Sequence, residues 1–313
     1  MATYLITGGA GFIGSHIVDE VLRRGDSVRV VDDLSTGEEA NLAGARERIK
    51  FYPLDIRDLE AMRPCFDGVD YVLHLAALAS IPRSIADPIF CNAVNVDGTL
   101  NVLVAARDAK VKRVVFAASS SAYGDNPVLP RVETQEPRPL SPYALMKLTG
   151  EYYCKVFTNI YGLETVALRY FNIFGPRQNA TSPYTAVLSL FNAAYIRGTT
   201  PLIYGDGEQS RDFTYVANVV DASLRGCTAP GASGGVFNVG VGEQYSINQV
   251  IALMNKIFGR EVKPDYAPTR PGDVRESLAD ISRARAVLGY SPRVSFEEGL
   301  RRTVEWYRAA LAK

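Results

Sequence analysis

Tyr143 and Lys147 stand four residues apart in the run Ser141-Pro142-Tyr143-Ala144-Leu145-Met146-Lys147. Ser is a good N-cap and Pro suits the first helical position, so the run predicts the start of a helix. One helical turn then stacks the phenol and the ammonium on the same face. A free phenol has a pKa near ~10 and is a poor base at neutral pH. A neighbouring cation favours the phenolate and lowers that value. So tuned, Tyr143 can take a proton from an alcohol while hydride leaves the same carbon. A Tyr-xxx-Lys pair is common on helix surfaces, and alone it carries little. Upstream, however, Ser119-Ser120-Ser121 directly follows the apolar run Val114 to Ala118. A Ser at that point can hydrogen-bond the reacting hydroxyl and hand its proton to Tyr143.

Hydride chemistry needs an acceptor, and the N-terminus offers a place for one. Thr7-Gly8-Gly9-Ala10-Gly11-Phe12-Ile13-Gly14 joins a strand pattern to a helical pattern. Gly8 permits a tight turn, Gly11 lets backbone amides approach a pyrophosphate, and Gly14 lets helix and strand pack closely. The helix N-terminus, with Phe12 and Ile13, adds free N–H groups and partial positive charge. Asp32 and Asp33 end the next strand, where a carboxylate receives ribose hydroxyls. An acid there repels the extra phosphate of NADP, and no Arg follows in Asp-Asp-Leu-Ser-Thr-Gly, so NAD is the expected cofactor. Ser35, Thr36 and Gly37 continue that wall. Asp55 and Ile56 are expected under the adenine. Leu75, Ala76 and Ala77 give small side chains beside the cofactor.

These residues need a scaffold with loops at one end of a sheet. Strand patterns occur at Thr3 to Thr7, Ser27 to Val31, Ile49 to Pro53, Tyr71 to Leu75 and Val114 to Ala118. They alternate with helical stretches such as Gly14 to Arg24. Later strands are expected at Thr165 to Leu168 and Val236 to Val239. The alternation predicts a Rossmann-like α/β fold with a doubly wound parallel sheet. After about Phe171 the chain turns to Gly- and Pro-rich connections, which in compact proteins are often functional. The expected division is a dinucleotide-binding domain over residues 1–170, with a return segment near 213–240, and a smaller mixed α/β substrate lobe over 171–313.

The chain has 313 residues with equal Lys plus Arg and Asp plus Glu, 34 of each. No basic surplus points to nucleic acid or anionic lipid. An anionic ligand must therefore be met by local arginines. Four scattered cysteines (Cys65, Cys91, Cys154, Cys227) form no CxxC pair and read as buried thiols in a reducing cytoplasm. His16 and His74 are the only histidines, and no metal site is expected. No signal peptide is read at the N-terminus, and no stretch near the ~20 apolar residues of a membrane span.

Taken together, the glycine loop, DDLSTG, HLAA, SSSAYG, SPYALMK, RYFNIFGP and RDFTYV resemble the extended short-chain dehydrogenase/reductase family. Within it, the chain is similar to UDP-hexose 4-epimerases, nearly end to end. The resemblance implies an NAD-dependent isomerase with a UDP-sugar substrate and a transient 4-keto sugar. Ser119, Tyr143 and Lys147 would be catalytic. Ser120 and Ser121 would touch the sugar, and Asn95 and Tyr170 would lie by the cofactor. Asn172, Arg211 and Arg270 would bind the diphosphate, Asp273 a ribose hydroxyl, and Ala186 and Val187 would pack on the uracil. Dehydratase relatives carry an Asp-Glu pair after their catalytic Thr, and decarboxylase relatives usually a Glu in this segment. Here the positions are Ser120 and Ser121, which favours simple epimerisation. Ser277 stands where plain-hexose enzymes have a bulky Tyr, which implies room for a 2-acetamido group. A UDP-glucuronate 4-epimerase, or another nucleotide-sugar dehydratase or reductase of this fold, is the alternative. Relatives pair two helices into a four-helix bundle, so Asp97 to Lys110 and Ser141 to Ile160 are expected to form a homodimer.

Overall fold

A computed structural model describes residues 1–179, 187–269 and 274–311. Seven parallel strands form the central sheet. Their order is Gly235–Val239, Glu164–Tyr170, Arg113–Ser119, Tyr71–His74, Thr3–Thr7, Ser27–Val31 and Ile49–Tyr52. Runs such as RVVFAAS are apolar at successive positions because both faces of the sheet are covered. Successive residues point to opposite faces. Thus Ile6 packs with Ile17, Val18 and Val219 from the helices Phe12–Arg23 and Val216–Thr228. Its neighbour Leu5 packs with Val102, Leu103 and Phe157 from the helices Gly98–Asp108 and Pro142–Tyr161.

The chain builds outward from Thr3–Thr7 to Ile49–Tyr52, then returns to place Tyr71–His74 on the other side of Thr3–Thr7. Strand order reverses there, and the crevice it opens at the carboxyl ends is the ligand-binding position of such sheets. The expected strands Thr3–Thr7 and Ser27–Val31 have those bounds. The strands expected to start at Val114 and Thr165 are longer, Arg113–Ser119 and Glu164–Tyr170. Arg113 and Glu164 pair across their starts at 2.6 Å, which lets charged residues begin both strands.

The helix expected from Asp97 is longer and irregular. Helical structure runs from Pro88 to Asp108 through a widened turn at Ala93–Asp97. By length and composition alone this stretch is long and apolar enough to cross a membrane. This departs from the expectation that no stretch approaches the length of a membrane span. The physical reason for its composition is packing, since Val102, Leu103 and Ala106 are wholly buried against the sheet.

The second half contributes to both parts of the molecule. Val216–Thr228 and Gly235–Val239 return to the main sheet, while short strands build the lobe above it. Ser210–Arg211 pairs with Tyr245–Ser246 and with Glu276–Ser277, and Leu202–Tyr204 pairs with Asp265–Ala267. Asp212 ties this lobe together. Its carboxylate accepts from the amides of Val241 at 2.8 Å, Gly242 at 2.9 Å and Ala279 at 3.3 Å. Burial pushes this carboxyl up to about 6 against those hydrogen bonds.

Candidate active site

A cleft of about 940 Å³ opens at the carboxyl ends of the strands. Gly8, Asp32, Leu75, Ser119 and Tyr170 reach it from five successive strand ends. One side is the glycine loop with its flanking acids, the other the lobe carrying Arg211 and Ser277.

The three glycines are required for different reasons. Gly8 has φ +71°, and a Cβ there would lie 2.7 Å from the amide of Ala76. A Cβ on Gly14 would lie 2.2 Å from the Gly8 carbonyl, so only glycine lets helix and loop close up. Gly11 is different, because its nearest obstacle is the Gly8 carbonyl at 3.2 Å. Gly11 is also the N-cap of Phe12–Arg23, with no side chain capping the helix. The loop thus turns amide donors towards the cleft, an arrangement suited to a pyrophosphate.

Asp32 and Asp33 divide their work. Asp32 is buried and accepts from the amides of Ala10 at 2.8 Å and Leu34 at 2.9 Å. Burial, against those two bonds, raises its pKa. Each carboxylate oxygen keeps a further lone pair for a ligand hydroxyl. Asp33 is exposed and holds the amide and hydroxyl of Ser35, which with Thr36 and Gly37 forms the rim. Asp55 and Ile56 line the far end, and the Arg57 guanidinium beside Asp55 holds that carboxyl below the usual range. Leu75, Ala76 and Ala77 line the floor.

Asn95, expected beside the cofactor, lies behind the cleft lining. It is buried, and its amide is spent on the backbone of Leu78: Oδ1 accepts from the Leu78 amide at 2.8 Å, and Nδ2 donates to the Leu78 carbonyl at 3.2 Å. It braces the cleft wall without lining it, because a buried Asn must satisfy both ends of its amide. His74 is held between Thr7 Oγ1 at 2.7 Å and Thr99 Oγ1 at 2.9 Å, and burial drives its pKa down to about 3. It therefore stays neutral. Among the described residues no cluster of metal-binding side chains occurs.

Ser119, Tyr143 and Lys147 meet in the cleft. Burial pushes the Tyr143 phenol up to about 12, opposed only by the hydroxyl of Ser119, which it faces. Lys147 Nζ donates to the Ala117 carbonyl at 2.7 Å and lies 4.9 Å from the Phe116 ring centre. Burial lowers this ammonium to about 8. The expected depression of the phenol by Lys147 is thus absent in the chain alone, because desolvation dominates. Ser121 Oγ donates to Ser119 Oγ at 2.8 Å, leaving the Ser119 proton free to point into the cleft.

On the other side, Tyr170 lines the cleft with its hydroxyl bonded to Ser223 at 2.8 Å. Ser120, Ser121, Asn172, Arg211 and Ser277 also line it. Asn172 has φ +29°, a backbone turn that aims the chain from the sheet into the lobe. Val187 does not reach the described lining: it starts the helix Val187–Arg197 and packs on the core. Ala186, Arg270 and Asp273 lie outside the described residues.

Among the cleft residues that the sequence did not point to are Arg131, Gln178 and Asn179. Arg131 carried no motif, yet it is 4% exposed, lines the cleft, and donates through Nη1 to the carbonyls of Asn126 and Val128. Gln178 and Asn179 lie in a loop among the Gly- and Pro-rich connections after Phe171, and they line the cleft. That loop docks on the cofactor-side helix, with His16 bonded to the Pro176 carbonyl and Arg177 paired to Asp19 at 2.7 Å. A histidine and an acid on the exposed side of a glycine-loop helix were the available signal.

The profile of the NAD dependent epimerase/dehydratase family matches residues 4–240. The chain is 40% identical over 309 residues to UDP-glucose 4-epimerase of Mycolicibacterium smegmatis, covering 97% of this chain and 98% of that one. It is 35% identical over 318 residues to UDP-glucuronate 4-epimerase of Thermodesulfobacterium geofontis, covering 98% and 96%. Among solved structures, UDP-N-acetylglucosamine 4-epimerase of Methanobrevibacter ruminantium, in complex with UDP-N-acetylmuramic acid, superimposes with a TM-score of 0.95. Identity is 41%, and 99% of each chain is covered.

Proposed function

The chain belongs to the NAD dependent epimerase/dehydratase family, and on that premise we propose that it is a UDP-hexose 4-epimerase. Its substrates are UDP-glucose and UDP-galactose, and with them the 2-acetamido sugars. NAD, when bound, supplies reversible hydride transfer at the sugar C4. Residues 1–170 with the return segment near 213–240 hold it, Gly8, Gly11 and Gly14 admitting the pyrophosphate and Asp32 with Asp33 the ribose. Tyr143 removes the proton of the 4-hydroxyl, relayed through Ser119. Lys147 fixes the nicotinamide ribose and adds positive charge beside the phenol. The 4-keto sugar turns about its diphosphate link and so presents its other face to the returning hydride, while Tyr143 gives the proton back to the C4 oxygen. Asn172 and Arg211 hold the diphosphate while this happens.

One observation carries the reading. Ser119, Tyr143 and Lys147 share a cleft with the glycine loop, and serines, not carboxylates, follow Ser119. Elimination needs a further acid and base at that point, and decarboxylase relatives usually carry a Glu there. Ser277 leaves the sugar end open for an acetamido group. Incubation with UDP-glucose, UDP-N-acetylglucosamine and UDP-glucuronate in turn, with products resolved by NMR, tests it. The 4-epimers of the first two are expected, with no net change in reduced-nicotinamide absorbance. A product other than a 4-epimer sinks the reading.

UDP-glucuronate 4-epimerisation is the second reading. It is favoured by Arg131, a buried cation in the cleft wall beside the segment that carries Ser277.

A homodimer completes the proposal. Leu145, Tyr152, Val156 and Ile160 are exposed along one face of Pro142–Tyr161, and Ile89 is 84% exposed on the neighbouring helical stretch. Their spacing makes an apolar seam that a second copy can cover through a four-helix bundle.

A further inference from the structure

The first turn of the helix Pro142–Tyr161 has more amides than its own cap can satisfy. Pro142 has no N–H. Ser141 Oγ accepts from the Ala144 amide at 3.2 Å, and the Ser141 carbonyl accepts from Leu145 at 3.1 Å. That leaves the amide of Tyr143 itself. It donates to Ser84 Oγ at 3.1 Å, from a different segment of the chain. Ser84 is fully buried, and its own proton goes to the Ile81 carbonyl at 2.7 Å. With its donor committed, the hydroxyl presents lone pairs to Tyr143.

Ser84 belongs to the short helix Ile81–Ala86, which Ser80 caps through the Arg83 amide. Ser80, Ile81, Pro82 and Ile85 from this segment line the cleft, and Asn95 pins its leading end at Leu78. The cleft wall is therefore joined to the backbone of Tyr143 by one hydroxyl. Ser84 does not line the cleft, so its contribution passes through Tyr143.

We propose that Ser84 is a positioning residue for the reaction, holding the first turn of the Tyr143 helix in register with the cofactor-side wall so that the phenol stays against Ser119. This rests on the role given to Tyr143 above. First turns fray when an amide loses its acceptor. A displacement of the phenol by an ångström is enough to cost one to two orders of magnitude in the proton-transfer step. The side chain makes no contact that substrate binding needs, so KM should be spared.

The test compares the NAD-loaded wild type with Ser84→Ala, Ser84→Cys and Ser84→Thr, using whichever UDP-sugar the wild type turns over. Ala and Cys remove the good acceptor and Thr retains it. Ser84→Ala and Ser84→Cys should lower kcat by about tenfold or more, with KM and bound NAD within twofold of wild type. Ser84→Thr should keep kcat within about threefold of wild type. Should Ser84→Ala not fold, Ser84→Cys, which fills the same space, gives the reading. Hydrogen exchange gives a second readout that needs no turnover: the Tyr143 amide should lose protection in the Ala and Cys variants and keep it in Thr. Unchanged kcat in Ala and Cys, an equal fall in Thr, or a loss confined to KM or NAD content overturns the proposal. A wild type that turns over no UDP-sugar defeats the functional reading instead, and the exchange result then decides the positioning role of Ser84 by itself.

Discussion

Lys147 and Tyr143 sit one helical turn apart in the same cleft, and burial drives their pKa values apart, the ammonium down to about 8 and the phenol up to about 12. In the chain alone the phenol is a weaker base-former than in water. Lys147 alone does not offset that burial, so activation calls for further positive charge, which an oxidised nicotinamide ring supplies when bound.

It follows that NAD binding should lower the Tyr143 pKa. Titration of the phenolate ultraviolet band, with Tyr143→Phe as the blank, should show Tyr143 ionising at distinctly lower pH in the NAD-loaded protein than in the stripped one. Tyr143→Phe itself should fold as the wild type does and lose about 10²–10⁴-fold in turnover, the usual worth of a positioned acid–base group. Equal titration with and without NAD would remove the basis for the proposed proton transfer.

Lys147→Met separates catalysis from stability. The folded-state pKa of Lys147 is depressed, so its buried ammonium costs stability fully below about pH 8. The cost is relieved as the pH rises from there towards the ordinary lysine value. Replacing it with an apolar chain of similar length should leave Tm at neutral pH unchanged or higher, while turnover falls at least tenfold. A lower Tm would mean that the bond to the Ala117 carbonyl outweighs the burial cost.

Gly11→Ala and Gly14→Ala should fail differently. At Gly14 a methyl meets the Gly8 carbonyl at 2.2 Å, so the loop and helix must part and Tm should fall. At Gly11 the nearest protein atom is 3.2 Å away and a shift of a few tenths of an ångström suffices. That variant should melt near the wild type yet bind NAD about tenfold more weakly, since its methyl occupies phosphate space. Calorimetry and NAD titration together distinguish the two.

Asp212→Asn should destabilise the protein although the side chains are nearly isosteric. Every partner of the carboxylate is a donor, namely the amides of Val241, Gly242 and Ala279 and the Thr214 hydroxyl. An Asn amide nitrogen there faces N–H groups, at a cost of roughly 2–3 kcal/mol. Because the folded-state pKa of Asp212 is raised to about 6, its titration favours the fold below the ordinary carboxylate range, and that advantage is lost as the pH rises through about 6. Denaturant melts of wild type and Asp212→Asn across that window check both the size and the direction.

Val156→Glu with Ile160→Glu tests the dimer. Both side chains are exposed, 48% and 70%, so the monomer should tolerate the change within about 0.5 kcal/mol. Sedimentation should show the wild type as a dimer and the double variant as a monomer. A wild type that sediments as a monomer at micromolar concentration would rule out the seam.

The sheet was legible because its strands are short apolar runs between helical patterns, and burial on both faces leaves no other use for sequences such as Val114 to Ala118. The glycine loop and the Tyr143–Lys147 spacing were legible because local geometry dictates them. That Asn95 bonds to Leu78 behind the lining was not legible, because spacing cannot tell a group that faces a ligand from one that faces the loop behind it. Arg131 was missed because its place in the cleft depends on the bridge from residue 131 to Ala279, a pairing of distant segments that leaves no local pattern. The length of the apolar helix Pro88–Asp108 was underestimated because scattered polar residues such as Asn92 and Asn95 broke the run to the eye, though not in the average.

The strand Gly235–Val239 closes one edge of the main sheet only after the first part of the upper lobe has been strung through the chain. On a ribosome, the cofactor half therefore has to wait, its Glu164–Tyr170 strand unpaired along a buried-type apolar edge, until some seventy further residues have emerged. A gene cut after residue 170 would leave that edge open to other chains, and its product should clump where the whole protein stays dispersed.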